Sequence, residues 1–246
     1  MKIRFLGSGD AFCHGGRMNA CILVDREESG GKFLIDCGAT AMVALHKFNI
    51  NTDEIDMIFI SHLHGDHYAG LPFFLMNSRF YKRKKPLAIY GPIGVEQRVK
   101  DTMELFFPDS TKIEFHFPLC FNELAVVTGI TDDLKLTSYE MSHFSGAPSL
   151  AFRIEADNKI LSYSGDTEWV HALADVALKA DLFICECYSY DKAIKNHLSF
   201  RTIEEHSGKF QARKTVLTHL GPEMLAECDK IPAAYLVAED GLEIVL

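Results

Sequence analysis

The stretch FISHLHGDHYAGL, residues 59–71, places His62, His64, Asp66 and His67 within six positions directly behind an apolar run. Positions i, i+2 and i+5 do not line up on one face at a 3.6-residue period, so the three histidines are not a stripe on a helix. They fit a loop that leaves a buried strand and turns separate imidazoles and a carboxylate toward one point. Imidazole with carboxylate is a donor set that zinc, iron and manganese accept. Four such side chains exceed what one catalytic ion needs if it keeps an open position, so two ions are expected. A loop of merely solvated histidines would not explain four donors crowded behind one strand.

Apolar runs elsewhere, such as MIFI, LAIY and LFIC, are short and bounded by polar turns. None approaches the ~18 consecutive apolar residues of a membrane span, so a soluble protein with no membrane partner is expected. Strand-like runs fall at 2–6, 20–25, 32–36, 57–61, 87–90, 112–117, 124–127, 134–141, 149–155, 159–163, 182–187, 215–218, 235–238 and 242–245. Helical patterns fall at about 39–48, 69–80, 92–106, 168–179 and 199–210, with Pro92 at a first-turn position and Ser199 as an N-cap. Early meander strands followed by strand and helix alternation predict a layered α/β sandwich whose strand-end loops carry the chemistry. No Pro/Ser-rich linker, low-complexity tract or repeat divides the 246 residues, and residues 1–246 read as one domain.

The start MKIRFLGSGDAF reads as a strand entering a Gly-rich turn and lacks the pattern of a secretory signal. Seven cysteines, an odd number scattered over the chain, suggest reduced thiols and a cytoplasmic location. The formal charge of -9 argues against capture of long nucleic acid. It leaves room for a small anionic substrate, because a bound metal ion supplies local positive charge.

The HxHxDH pattern behind a strand closely resembles the metallo-β-lactamase-fold hydrolases. Further motifs follow in order: His143 in YEMSHFSGAPSLAFRI, Asp166 in LSYSGDTEW and His219 in TVLTHLG, each just past a strand-like run. The resemblance covers the whole chain and implies a four-layer αββα sandwich. It implies a binuclear site with His62, His64 and His143 on one ion, Asp66, His67 and His219 on the other, and Asp166 bridging. The ions would be Zn²⁺, with Mn²⁺ or Fe²⁺ as alternatives, and hydrolysis by a metal-activated hydroxide follows as the reaction type. Asp166 stands where β-lactamases of this fold use a Cys, which disfavours antibiotic hydrolysis.

The segment LFICECYSYDKAIKNHLSFRTIEE resembles that of ribonuclease Z and related phosphodiesterases, in which a Glu behind a strand supports a His ahead of a helix. Those positions are Glu186 and His197, which with Asp66 form the expected catalytic set; an ordinary ion pair or helix-cap contact is the plainer reading. His197 would stabilise phosphoryl oxygens or protonate the leaving alkoxide, and Glu186 would hold its tautomer. Ribonuclease Z carries a long tRNA-binding arm between its third His motif and its bridging Asp. Here that interval holds two strands and an Asp157-Asn158 turn. A small phosphodiester is therefore expected as substrate: a cyclic nucleotide, cyclic sugar phosphate or short oligonucleotide. The alternatives are a carboxyl-ester, thioester or lactone hydrolase, a tRNA 3′-end nuclease, and a non-catalytic metal-binding sensor. A homodimer is expected by analogy alone.

Other features read more plainly. LGSGDAF is taken as a structural turn rather than a phosphate cradle, Arg17 as a solvated loop residue rather than an anion contact, and YKRKKP at 81–86 as a solvated helix end. His14, His46, His116, His171 and His206 read as surface or core residues. Cys185 and Cys187 should face away from Glu186 on their strand as buried thiols.

Overall fold

Apolar side chains that alternate along the strands face two different cores, which is why the strands read as continuous hydrophobic runs. The computed structural model describes residues 1–124, 128–131 and 133–246, the side chains of residues 128 and 131 excepted. Strands β1 (Lys2–Gly7), β2 (Cys21–Asp25) and β3 (Lys32–Ile35) form an antiparallel meander. Helix α1 (Ala41–Lys47) crosses to β4 (Ile55–Phe59), which is parallel to β3. The short α2 (Gly65–Tyr68) and α3 (Leu71–Phe80) lead to β5 (Leu87–Pro92), and α4 (Val95–Phe106) leads to β6 (Leu119–Leu124), all parallel additions.

The second sheet opens with β7 (Thr128–Thr131), β8 (Leu134–Met141), β9 (Ser149–Ala156) and β10 (Lys159–Tyr163), an antiparallel meander. It continues in parallel through α5 (Ala172–Ala177), β11 (Leu182–Glu186), α6 (Phe200–Phe210), β12 (Thr215–Thr218), α7 (Pro222–Ala226) and β13 (Tyr235–Val237). Strand β14 (Glu243–Val245) returns to pair with β1. The sheet orders are β14-β1-β2-β3-β4-β5-β6 and β13-β12-β11-β10-β9-β8-β7.

Ile3, Phe5, Phe33, Phe59, Phe152, Ile154, Ile184 and Val216 meet between the sheets. Phe59 ties them together, standing edge-on to Phe33 at 5.1 Å and touching Phe152 of the facing sheet at 6.2 Å. Leu34, Ile58 and Ile89 point the other way, against α1, α3 and α4. Phe183, Cys185 and Leu217 do the same against α5, α6 and α7. The result is the expected four-layer αββα sandwich. Each large apolar side chain so buried contributes roughly 1.5–3 kcal/mol. No helix of the described residues is long and apolar enough to cross a membrane. The seven cysteines are all free thiols.

Several expectations give way. The run at 112–117 is not a strand. Ile113, Phe115 and Phe117 alternate because they line a pocket beside α4, and the ladder forms further on, at β6. The run at 124–127 lies outside the described residues past Leu124. Pro92 closes β5, paired with Leu124, and α4 begins after Gly94, whose φ of 89° turns the chain into it. Ser199 does cap α6, accepting from Thr202 N at 3.2 Å. The turn at Asp157 and Asn158 has both residues at positive φ, 51° and 54°, as a tight hairpin between β9 and β10 requires.

The basic run holds the largest correction. Arg83 is fully buried, donating to the carbonyls of Thr52 (2.7 Å), Ile55 (2.6 Å), Lys85 (2.8 Å) and Pro86 (2.8 Å). A guanidinium fork that satisfies four carbonyls is structural, and removing it strands buried acceptors. Arg83→Ala is expected to cost roughly 3 kcal/mol or more of stability in urea unfolding; a loss under about 1 kcal/mol would show those carbonyls to be satisfied by other means.

Candidate metal centre

Both sheets aim the C-terminal ends of parallel strands at one edge of the sandwich, where open α/β sheets hold ligands. The β4–α2 loop brings His62, His64, Asp66 and His67; His143 follows β8, Asp166 follows β10, Glu186 ends β11, and His219 follows β12. His197 arrives from the segment before α6. Gly38 lies so close beneath the first loop that a Cβ there would overlap the Asp66 carbonyl.

All nine residues singled out from the sequence converge. Donor atoms of His62, His64 and His143 form one group, those of Asp66, His67, Asp166 and His219 another, each within 4.8 Å. His64 Nδ1 and His143 Nε2 are 3.0 Å apart. His219 Nε2 lies 3.2 Å from Asp66 Oδ2 and 3.3 Å from Asp166 Oδ2. Asp166 sits between the groups: its Oδ1 is 3.5 Å from His67 Nε2, and its Oδ2 is 3.8 Å from His62 Nε2 and 4.0 Å from His143 Nε2.

The outer nitrogens are tied to protein, which leaves the inner ones facing one another. His67 Nδ1–H donates to Asp36 Oδ2 at 2.7 Å, and His143 Nδ1–H donates to the Asn196 carbonyl at 2.8 Å. Ser61 Oγ donates to Asp36 Oδ2 (2.9 Å) and so is left to accept from His62 Nδ1–H (3.1 Å). The buried His62 Nε2, His67 Nε2 and Asp166 Oδ1 have no hydrogen-bond partner. Unpartnered buried donors of this kind fit divalent metal, because a metal ligand needs its far nitrogen pinned and its near one free.

The electrostatics agree. Burial opposes ionisation of Asp166, yet His219, His67 and His62 hold its carboxyl well below the usual range. Burial likewise opposes charge on His67, but Asp166, Asp66 and Asp36 outweigh it and lift the ring well above an ordinary histidine. His62, buried and beside His67, is pushed the other way. Such closely packed carboxylates demand cations.

Asp36 is the residue that sequence reading missed. It is fully buried, accepts from Ser61 N (2.7 Å) and Tyr163 Oη (2.9 Å) as well as from His67, and turns into the site at a φ of 59°. Its only signal was an acid directly behind the apolar run KFLI, the same strand-end position that Asp166 and His219 occupy. Arg17 is half-buried, and its Nη1 donates to the Ala238 carbonyl and to Ser8 Oγ.

Glu186 and His197 meet at 3.1 Å between Oε2 and Nδ1, while Glu186 Oε1 accepts from Thr167 N. Burial first and the nearby Asp166 second push Glu186 well up. Burial lowers His197, against the pull of Asp166. Tyr188 stacks on the His197 ring at 4.7 Å. Cys185 and Cys187 face the opposite core, as expected from strand alternation.

A family profile described as anti-Pycsar protein Apyc1 matches residues 1–240. The chain belongs to the Apyc1 family. Among curated relatives, this Apyc1-family chain is 37% identical to ribonuclease Z of Shouchella clausii over 65% of its own length and 49% of that protein's. It is 27% identical to ribonuclease Z of Clostridium tetani, over 90% of this chain and 89% of that one. The chain therefore spans about half the length of the first relative, and nearly all of the second. The structure of human tRNase Z, short form (ELAC1), superposes with a TM-score of 0.82 at 25% identity, over 100% and 99% of the two chains. The Apyc1-family chain thus has the ribonuclease Z-like metallo-β-lactamase fold.

Proposed function

We propose that the chain is a binuclear metal-dependent phosphodiesterase acting on a small phosphodiester: a cyclic nucleotide, a cyclic sugar phosphate or a short oligonucleotide. The observation that carries this is the pair Glu186–His197: His197 stands on the wall of the same cleft as the metal donors, its Nδ1 3.1 Å from the buried Glu186 and 4.0 Å from Asp166. His62, His64 and His143 would hold one ion, Asp66, His67 and His219 a second, with Asp166 between them and zinc best suited to the set. Ions bound there supply Lewis acidity and a nucleophilic hydroxide at neutral pH. Asp36, Ser61 and the Asn196 carbonyl fix the ring orientations. Glu186 occupies His197 Nδ1, so Nε2 is the nitrogen that meets a phosphoryl oxygen or gives a proton to the leaving alkoxide.

The cleft has a volume of about 510 Å³, within the range that holds a nucleotide-sized ligand. Among the described residues its only Lys or Arg is Lys195, and the hairpin between His143 and Asp166 ends in the two-residue turn at Asp157 and Asn158. With the charge of -9, both features favour a compact substrate over tRNA. The ribonuclease Z relatives favour tRNA 3′-end processing as the second reading.

The test is a panel assayed with Zn²⁺, Mn²⁺ and Fe²⁺: bis-p-nitrophenyl phosphate, 2′,3′- and 3′,5′-cyclic nucleotides, a tRNA precursor, a thioester, an acyl-homoserine lactone and a β-lactam. Turnover of cyclic nucleotides is expected. Hydrolysis of the carboxyl compounds alone would sink the proposal, and cleavage of the precursor alone would give the second reading its place. No turnover at full metal loading would leave a metal-binding sensor. Light scattering on the same sample reads the homodimer, which belongs to this proposal and rests on analogy.

Asp36 supplies a separate expectation. Asp36→Asn should fold normally but bind metal about tenfold to hundredfold more weakly in chelator competition. Unchanged affinity would remove Asp36 from the assembly.

A further inference from the structure

The cleft beside the donors has an apolar wall that metal chemistry does not need. Phe12 stands 75% exposed on that wall, next to Ala11, and Ile194 joins it from the segment before α6, 37% exposed. An exposed phenyl ring forgoes the stabilisation that burial would contribute, so a rigid loop that keeps one out is informative.

This loop is rigid. Asp240 grips both of its ends, accepting from Ser8 N and from Met18 N, each at 2.9 Å. Gly9 N donates to the Met18 carbonyl at 2.7 Å, and a Cβ on Gly9 would press against Arg17 and Met18. Inside the loop, the buried Asp10 carboxylate accepts from His14 N (3.0 Å) and pairs with His14 Nδ1 (2.6 Å). The Asn19 side-chain amide donates to the Asp10 carbonyl at 3.0 Å. Phe12 is thus held on a fixed arch at the mouth of the site. The His14 ring makes a T-shaped contact with it at 6.0 Å, and no ring stacks parallel on Phe12 among the described residues.

We propose that Phe12 is a stacking platform for the aromatic base of a nucleotide whose phosphodiester lies against the metal donors. The inference rests on the phosphodiesterase reading above. A phenyl face accepts any base, because every base has a π-face, and the platform therefore selects for a base without reading its identity. Ile194 adds apolar surface to the same cleft, and a cyclic sugar phosphate has nothing to place on either residue.

The experiment compares zinc-loaded wild type, Phe12→Ala and Phe12→Trp on 3′,5′-cyclic nucleotides, one purine and one pyrimidine, and on ribose 1,2-cyclic phosphate. Phe12→Ala is expected to raise KM for both nucleotides about tenfold to hundredfold, to change kcat less than about threefold, and to leave the sugar phosphate's KM within about twofold. Phe12→Trp should retain the wild-type KM. An unchanged nucleotide KM, or an equal rise for the sugar phosphate, would overturn the platform. If wild type hydrolyses no phosphodiester, the underlying reading fails on its own. Calorimetry with 5′-AMP and ribose 5-phosphate then decides the platform: a loss of about tenfold or more on Phe12→Ala confined to AMP upholds it, and equal affinities overturn it.

Discussion

Asp166→Ala should bind at most one divalent ion per chain and lose at least about a thousandfold in phosphodiester turnover, the equivalent of ~4 kcal/mol. The expectation comes from its position. One carboxylate oxygen faces His67 at 3.5 Å, while the other lies between 3.3 and 4.0 Å from His219, His62 and His143, so a single side chain serves both donor groups. On the proposed two-ion assignment, removing it would take away both the shared ligand and the anion that lets two cations lie close together. Elemental analysis after gel filtration in buffer without added metal gives the stoichiometry, and turnover is read on the same sample. Two tightly held ions in Asp166→Ala would contradict the bridging assignment. One ion with wild-type turnover would contradict the need for a pair.

The second large effect belongs to His197. His197→Ala should lower kcat by about a hundredfold to ten-thousandfold with metal content unchanged, the span that a positioned proton donor contributes. The leaving group separates its two roles. A p-nitrophenolate departs without a proton, so a general acid will matter far less for bis-p-nitrophenyl phosphate than for an alkyl diester. A residue that only steadies phosphoryl oxygens will matter equally for both. In the proposed mechanism Glu186 would act through His197, whose Nδ1 it meets at 3.1 Å, and Glu186→Gln should shift the pH profile while retaining part of the rate. Unchanged turnover of alkyl diesters by fully loaded His197→Ala would end the proposed role.

What could be read from the chain followed the short-range patterns. The donors of the β4–α2 loop were visible because four of them crowd into six residues behind a run buried on both faces. His143, Asp166 and His219 were visible only as members of an ordered set. Asp36 was not, because a lone acid after KFLI has the same local appearance as any turn aspartate, and its role arises from contacts with His67, Ser61 and Tyr163, the last 127 residues away. The alternation at 112–117 was real but served a pocket wall, since a period of two reports burial on one side and says nothing about a partner strand. Arg83 misled for a related reason: its neighbours are charged and exposed, and its burial is explained by backbone carbonyls on both sides of it in the chain, at Thr52 and Ile55 and at Lys85 and Pro86. Pro92 marked a boundary correctly and its type wrongly, since a proline suits the end of a strand as well as the start of a helix.

The β4–α2 loop that supplies His62, His64, Asp66 and His67 grows from the first sheet, while His143, Asp166 and His219 grow from the second. Ions that take ligands from both are crosslinks between segments up to about 150 residues apart, closed by coordination instead of by a covalent bond. Folding and metal binding are then linked equilibria. Free metal a thousandfold above its dissociation constant would add about 4.1 kcal/mol to the unfolding free energy for each such ion. A melting temperature for this chain thus has meaning only at a stated metal activity, and a chelator will reach its resistance to heat and proteolysis as directly as its catalysis.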